Sequence, residues 1–289
     1  MAFNLQAFKT RALTAIVFAI VMLLGLLWDK WSLIILFSVI NFGCWWEYFL
    51  LVEKIDKVKI AEGVKYLFLF MSALVLYCEA FPHDSFDIYF TIDGNEINWK
   101  YPILAVLLLL LLIFVALDKR IPSKAKWMSF AGFVYITLPC ILMMDLRTYF
   151  SLRSPVPLEI IPCGIIFSIW INDTMAYIVG SLIGKTPFSK ISAKKTWEGT
   201  IGGAVLCIVV IAWLGWLTKY YTIVDWICIA AICAVFGTLG DLLESKIKRL
   251  AGVKDSGTLL PGHGGFLDRF DSFLVATPFV WLYVYFFIR

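Results

Sequence analysis

Nine long apolar runs recur along the 289-residue chain, each close in length to a membrane-spanning helix. About 20 mostly apolar residues are needed for a helix to cross the hydrocarbon core of a bilayer. The runs lie at about 12–28, 31–51, 65–80, 101–117, 127–145, 156–180, 200–218, 222–240 and 272–288. Because lipid leaves helices or closed barrels as the viable spanning structures, the sequence predicts an all-α polytopic membrane protein with about nine transmembrane helices.

The composition excludes other classes of protein. Apolar residues make up 61% of the chain, and charged residues 16%, against about a quarter in ordinary soluble domains. Too few charges remain for a disordered chain or for contacts with nucleic-acid phosphates, so we expect no nucleic-acid partner. The seven cysteines lie mostly inside apolar runs without a C-x-x-C pair, and are interpreted as small hydrophobic residues.

The basic residues predict the orientation. If the N-terminus is cytoplasmic and the runs alternate in direction, 19 of the 25 lysines and arginines fall on the cytoplasmic side. This asymmetry follows the positive-inside rule and supports nine spans with a cytoplasmic N-terminus. We expect an integral protein of the cell (inner) membrane. We expect a single membrane domain over 1–289, with N-terminal helices at about 1–150 and a second set of helices and loops at 156–289.

Ionisable residues interrupt the apolar runs of the C-terminal half, where intramembrane charges are functional candidates. Asp173 lies in the sixth run and Asp241 ends the eighth, both near the predicted cytoplasmic face. Beyond Asp241 the helix pattern continues, and its face is shared by Glu244 or Ser245 and by Lys248. Such a stripe of alternating charge is also typical of a solvated helix face.

A glycine-rich segment and two more aspartates precede the last run. Three glycines within 262–265 permit positive φ and let backbone N–H groups approach an anion, while Asp268 and Asp271 lie one helical turn apart. Mg²⁺ prefers one or two carboxylates with waters and substrate phosphates. Asp241, Asp268 and Asp271 are therefore candidate ligands of a Mg²⁺–triphosphate site. The candidates to balance the remaining phosphate charge are Lys248, Arg249, Lys254 and Arg269.

A second basic loop, 184–199, lies on the same predicted side and contains four lysines. Its start resembles a P-loop, but three residues separate Gly180 from Gly184 where a P-loop has four. The lysines could equally be attracted to anionic lipid headgroups. Two further residues stay open: His263 could contact substrate or hydrogen-bond within its turn, and Glu47 could line the site or reach the membrane interface.

The polar pattern of the C-terminal half resembles a known enzyme family. Residues 245–271 are similar, at every fixed polar position, to the signature of the phosphatidate cytidylyltransferases, or CDP-diacylglycerol synthases. Residues 172–203 resemble that family's second conserved region, with Met175 and Ala193 as departures from a small residue and a proline. The resemblance covers roughly 160–289, whereas the first five spans match in hydropathy alone.

The resemblance implies a transferase of phospholipid biosynthesis. It implies that CTP and phosphatidate form CDP-diacylglycerol and pyrophosphate by metal-assisted in-line attack on the α-phosphorus, at a site in 156–289 that faces the cytoplasm. The implied cofactor is Mg²⁺ in a dimetal centre whose second ion can be monovalent. The implied partners are CTP, phosphatidate and membrane lipid, and the apolar surface leaves room for a homodimer.

The resemblance also implies residue roles. Asp241 and Asp268 become metal ligands, Asp271 a ligand or a neighbour of one, and Asp173 a supporting acid. Lys248 and Arg249 join the catalytic set. The residues assigned to nucleotide and phosphate are Lys194, Lys195, Ser245, Lys254, His263, Gly264, Gly265 and Arg269.

Two alternatives remain at this point. A CTP-dependent lipid kinase of the polyprenol or phytol type would also need a lipid-facing Mg²⁺–nucleotide site, but would transfer the γ-phosphoryl group. An ion-coupled transporter could bind its ion at Asp173 and Asp241. The transporter leaves the glycine-rich segment without a role.

Overall fold

The computed structural model describes residues 5–80, 89–92, 95–98, 100–119, 121–148, 159–189, 191–192, 195–257 and 264–288. Ten α-helices and one π-helical segment make up most of this part of the chain. In chain order, the helices are α1 (Leu5–Leu27), α2 (Lys30–Asp56), α3 (Glu62–Ala80), α4 (Lys100–Leu117), α5 (Ser123–Gly132), the π segment (Phe133–Thr137), α6 (Leu138–Thr148), α7 (Ile160–Ile183), α8 (Trp197–Thr218), α9 (Ile223–Leu250) and α10 (Leu267–Phe287).

The helices confirm the all-α fold class and lie where the apolar runs predict them. With α5, the π segment and α6 counted as one continuous unit, nine helical segments of the described chain match the nine runs. Six of these segments are long and apolar enough to cross a membrane, and α1 and α4 contain shorter apolar stretches. The protein is thus a membrane protein by its helices, while nine crossings and the cytoplasmic N-terminus stay predictions.

A short antiparallel hairpin is an addition that the sequence analysis did not predict. Strands β1 (Tyr89–Ile92) and β2 (Asn95–Asn98) pair with Tyr89 opposite Asn98. The hairpin lies between α3 and α4, in the predicted outer loop.

The N-terminal helices pack around α2 through large aromatic side chains. Trp45 is fully buried, and its ring centroid lies 5.1 Å from that of Phe49, 5.7 Å from Phe68 and 5.2 Å from Phe133. Gly132 provides the space for this indole, because a Cβ there would lie 2.5 Å from the Trp45 ring. Three helical segments therefore meet at one side chain of α2.

A buried polar network ties the same elements together. Trp45 Nε1 donates to Thr137 Oγ1 at 2.9 Å, and Thr137 shares a 2.8 Å hydrogen bond with Ser72 of α3. Asn41 Nδ2 completes the network by donating to Ser72 Oγ at 2.6 Å. In an apolar surrounding each of these groups needs a partner, so the network fixes α2 against α3 and the π segment.

The C-terminal helices α7 to α10 approach one another backbone to backbone. A Cβ at Gly203 of α8 would lie 2.7 Å from the backbone nitrogen of Ala176 in α7, and a Cβ at Gly240 of α9 would collide with the Asp271 carbonyl of α10. Absent side chains at these positions permit the close contact. The approach of α9 to α10 brings Asp241 close to Asp271.

Candidate active site

Three carboxylates from α9 and α10 converge at one end of the helix bundle. Asp241 and Glu244 lie one turn apart on α9, and each has an oxygen within 4.8 Å of the other and of an Asp271 oxygen. Glu244 is completely buried, and its Oε1 has no hydrogen-bond partner among the described residues. Three oxygens at this separation form a donor set of the kind that hard divalent cations prefer.

Two lysines balance part of this charge. Lys195, just before α8, forms an ion pair with Asp241. Lys248 Nζ lies 2.5 Å from Glu244 Oε2 and 2.5 Å from Asp268 Oδ1. Together with Asp271, four carboxyl groups meet two lysines, so among the described residues the acidic side chains of the cluster outnumber the basic ones.

Asp268 occupies a different position from the other predicted ligands. Besides the Lys248 ion pair, its Oδ2 accepts hydrogen bonds from the backbone N–H of Ser256 at 3.0 Å and of Gly265 at 2.8 Å. The structure thus brings together Asp241 and Asp271 of the predicted metal set, with Glu244 as the third carboxylate. The metal role of Asp268 stays a prediction.

Glu47 of α2 joins the site from the N-terminal half. This residue is 3% exposed, and its carboxylate accepts hydrogen bonds from Ser256 Oγ at 2.6 Å and from the backbone N–H of Phe266 and Leu267 at 2.9 Å each. The sequence analysis left its role open. An acid inside an apolar run was the signal that could have ranked it higher.

The glycine-rich segment holds carboxylates of the chain itself. Gly264 has φ +80°, and a Cβ there would lie 2.6 Å from Asp268 Oδ2. At Gly265 a Cβ would collide with the Glu47 carboxylate. The expected approach of backbone N–H groups to an anion therefore occurs, and in the described residues 265–267 the anions are Asp268 and Glu47.

A groove of about 440 Å³ adjoins the acidic cluster and runs between α1, α7 and α10. Asp173, Asp268, Arg269 and Asp271 line its polar part. Its remaining walls are mostly apolar or small side chains, from Thr14, Ala15, Phe18, Ala19, Ile169, Trp170, Thr174 and Ser272. The predicted acids at 173, 268 and 271 thus share one cavity, and no motif in α1 indicated that this helix would form part of its wall.

Comparison with known proteins identifies the family. The model of the cytidylyltransferase family matches residues 9–287. The chain belongs to the cytidylyltransferase family. The match begins in α1, so the family relationship reaches well beyond 160–289, where the sequence analysis placed it.

Relatives of this cytidylyltransferase chain carry a specific name. This chain is 47% identical over 113 residues to the phosphatidate cytidylyltransferase of Staphylococcus saprophyticus. The match covers 38% of this chain and 43% of that protein. The protein of the same name from Bacillus subtilis is 47% identical over 116 residues, which cover 39% of this chain and 43% of that protein. The one from Synechocystis is 45% identical over 119 residues, which cover 40% of each protein. The matches span about two fifths of these relatives' length.

The other predicted residues of this family member have varied surroundings. Ser245 Oγ donates to Asp241 Oδ1 at 3.2 Å, which places it in the acidic cluster. Arg249 Nη1 donates to the Val253 carbonyl at 3.1 Å, just beyond the end of α9, and Lys254 is exposed. Lys194 and His263 lie outside the described residues.

Glu198 organises the loop between α7 and α8. Its carboxylate accepts hydrogen bonds from the Lys185 N–H at 3.2 Å and from the Thr186 N–H and hydroxyl at 3.1 Å and 2.8 Å. Phe188 N–H also donates to the Lys195 carbonyl at 2.8 Å, which closes the loop. The segment that resembles a P-loop therefore binds Glu198, and Lys195 projects from the closed loop to Asp241.

Proposed function

We propose that this protein is a phosphatidate cytidylyltransferase, which converts CTP and phosphatidate to CDP-diacylglycerol and pyrophosphate. The observation that carries the proposal is the groove that joins the carboxylate and lysine cluster to apolar walls between α1, α7 and α10. Such a site suits a substrate whose headgroup is anionic and whose acyl chains remain in lipid. The names of the relatives support the same activity.

Asp241, Glu244 and Asp271 would hold Mg²⁺ in this proposal. Carboxylate oxygens are ligands that Mg²⁺ accepts. Glu244 Oε1 has no hydrogen-bond partner among the described residues, as suits an oxygen that would bind a cation. A bound divalent ion would neutralise phosphate charge and favour in-line displacement. Asp268 as a ligand, and a second ion that can be monovalent, stay predictions from the sequence.

The side chains of the chain address the repulsion between two phosphorylated reactants. A phosphate monoester with a second pKa of about 6 is already largely dianionic at neutral pH, so its oxygen needs no general base. Lys195 and Lys248 form ion pairs with carboxylates of the cluster, and Arg269 lines the groove. These three cations can bind phosphate oxygens of the reactants. Asp173, in the same groove, would act as a supporting acid.

The proposed site faces the cytoplasm of the cell membrane. The support is the positive-inside sorting of the lysines and arginines, which assigns the site end of α7 to α10 to the cytoplasmic side. A cysteine in place of exposed Lys254 should react with an impermeant maleimide in inside-out vesicles, and one in place of exposed Lys219, between α8 and α9, in right-side-out vesicles. The reverse pattern would contradict this orientation. A homodimer stays a prediction that cross-linking in detergent can test.

Two labelled nucleotides separate the candidate activities. Purified protein in detergent receives Mg²⁺, CTP labelled at the α- or the γ-phosphate, and either phosphatidate or an isoprenoid alcohol. The proposed reaction places the α-label on the lipid and releases the γ-label as pyrophosphate. A γ-label on an isoprenoid alcohol would instead indicate a lipid kinase, and nucleotide-independent ion flux in proteoliposomes a transporter.

A further inference from the structure

The Glu47 carboxylate makes the longest-range polar contact of the site. It lies on α2, yet its three hydrogen-bond donors, at Ser256, Phe266 and Leu267, come from residues 209 to 220 positions later in the chain. Phe266, which precedes α10, provides no side-chain cap of its own. Glu47 therefore supplies from another helix the acceptor that the first N–H groups of α10 need.

The seat that α2 offers is shaped for this contact. One turn before Glu47, a Cβ at Gly43 would lie 2.6 Å from the ring of Phe266, so this ring packs directly on the α2 backbone. The buried network of Asn41, Ser72 and Thr137 fixes α2 on its other neighbours. The start of α10 thus rests on a helix that is itself anchored.

Glu47 and Asp268 hold the same two segments jointly. Ser256 donates its hydroxyl to Glu47 and its backbone N–H to Asp268. At the start of α10, Gly265 N–H binds Asp268 while Phe266 N–H binds Glu47. Loss of the Glu47 acceptor would leave three donors without this partner, and the first turn of α10, which carries Asp268 and Asp271, would lose its support.

We propose that Glu47 is a positioning residue, which holds the start of α10 so that Asp268 meets Lys248 and Asp271 meets Asp241 and Glu244. Its kinetic consequence rests on the proposed function. Glu47 is not among the residues that line the groove, so it acts through α10 rather than on substrate. Because small displacements of reacting groups cost about 10²-fold in rate, a shift of α10 should appear in kcat.

The test replaces Glu47 by its neutral isostere and uses a matched acid on the same helix. Glu53 also lies on α2, and its carboxylate accepts a hydrogen bond from the backbone N–H of Ile60 at 2.8 Å. Unlike Glu47, the Glu53 carboxylate forms an ion pair with Lys65. We expect Glu47→Gln to lower kcat about 10²-fold with little change in the KM for CTP. We expect Glu53→Gln to keep the wild-type kcat even if its thermal stability falls. Ser256→Ala removes one donor to Glu47 and should lower kcat less than Glu47→Gln. This variant replaces Glu47→Gln in the test if Glu47→Gln does not fold.

Hydrogen exchange provides a readout that does not depend on the reaction. The amides of Phe266 and Leu267 should exchange faster in Glu47→Gln than in the wild type. In Glu53→Gln their exchange rates should equal those of the wild type. Wild-type kcat in Glu47→Gln, an equal loss in Glu53→Gln, or unchanged exchange at these amides would overturn the proposal. If Glu47→Gln does not fold, a wild-type kcat in Ser256→Ala would overturn it. Absence of any liponucleotide from the wild-type protein would overturn the proposed function instead, and the exchange measurement would still decide the role of Glu47.

Discussion

Two glycines packed against α2 and two glycines between α7 and α10 make different contacts. Around α2, Gly25 and Gly132 provide space for side chains, those of Leu36 and Trp45. At the site end of α7 to α10, Gly203 and Gly240 instead meet the backbone of the neighbouring helix. In the first arrangement the glycines make room for side chains, whereas in the second they set the distance between helix axes.

The difference matches where charge is placed. Around α2, Asn41, Ser72, Thr137 and Trp45 form a network of neutral buried groups, whereas four carboxylates and two lysines meet between α9, α10 and the loop before α8. Carboxylates can share one cation only when their oxygens converge to within a few ångströms. We therefore expect substitutions in the acidic cluster to affect chemistry and those in the network around α2 to affect stability, with Glu47 as the residue of α2 that reaches the site.

The largest effect should come from the acidic cluster. Asp241→Asn and Asp271→Asn should each lower cytidylyl transfer by at least about 10²–10³-fold, because each removes a charge that the proposed cation needs. Transfer of α-labelled CTP to phosphatidate measures this. The control is Asp225→Asn at the other end of α9, where Asp225 belongs to a capping box. It should cost about 1 kcal/mol of stability and leave the specific activity intact. Near-normal transfer in both cluster variants would contradict the assignment.

A second experiment separates Glu244 from Asp268. Glu244→Gln should weaken divalent-ion binding about 10–100-fold, since Glu244 belongs to the converging set. Asp268→Asn should lower kcat with a smaller change in affinity, since Asp268 contacts Lys248 and two backbone N–H groups. Electron paramagnetic resonance of bound Mn²⁺ gives the affinities. The opposite ranking would favour the set of Asp241, Asp268 and Asp271 expected from the sequence.

The backbone contact between α7 and α8 should be sensitive to a single methyl group. Gly203→Ala should destabilise the protein by about 1–3 kcal/mol, because the new Cβ would overlap Ala176. The same substitution at Gly63 of α3 meets nothing within 4 Å and should be neutral or mildly stabilising. Thermal unfolding in detergent measures both. Equal unfolding temperatures for the two variants would break the proposed difference between the halves.

The smallest effect should come from the network around α2. Thr137→Val removes the acceptor of Trp45 Nε1 and should cost about 0.6–2 kcal/mol, with unchanged activity per folded molecule. Thr277→Val is the control, because this equally buried hydroxyl bonds to the Phe273 carbonyl of its own helix. A large loss of specific activity in Thr137→Val would show that the two halves are more tightly coupled than their packing indicates.

Much of the fold could be predicted because lipid restricts the choice of backbone structure. Apolar runs of spanning length become helices, and each predicted run overlaps a helical segment of the described chain. The π segment at Phe133–Thr137 and the hairpin at Tyr89–Asn98 could not be predicted this way. The first places Thr137 in contact with Trp45, and hydropathy does not report such a contact.

The candidate site was predicted in composition but not in arrangement. Asp241, Ser245 and Lys248 share a helix face, as the i, i+4, i+7 spacing indicates. Asp241 and Lys248 meet the acids of α10, and Ser245 donates to Asp241. The spacing of Asp268 and Asp271 could not show which residues of α9 each of them meets, because both lie in the first turns of α10. The rotation of α10 against α9 decides this, and it places Glu244 rather than Asp268 beside Asp241 and Asp271.

The amino-acid pattern by itself determined the helices, the end of the bundle where charge collects, and the types of residue available for phosphate and metal. Those properties follow from local periodicity and from the cost of charge in lipid. The tertiary structure alone decided that Glu47 supports α10 and that α1 closes the groove. Contacts between residues more than 200 positions apart leave no periodic trace in a single sequence, since they depend on how whole helices pack.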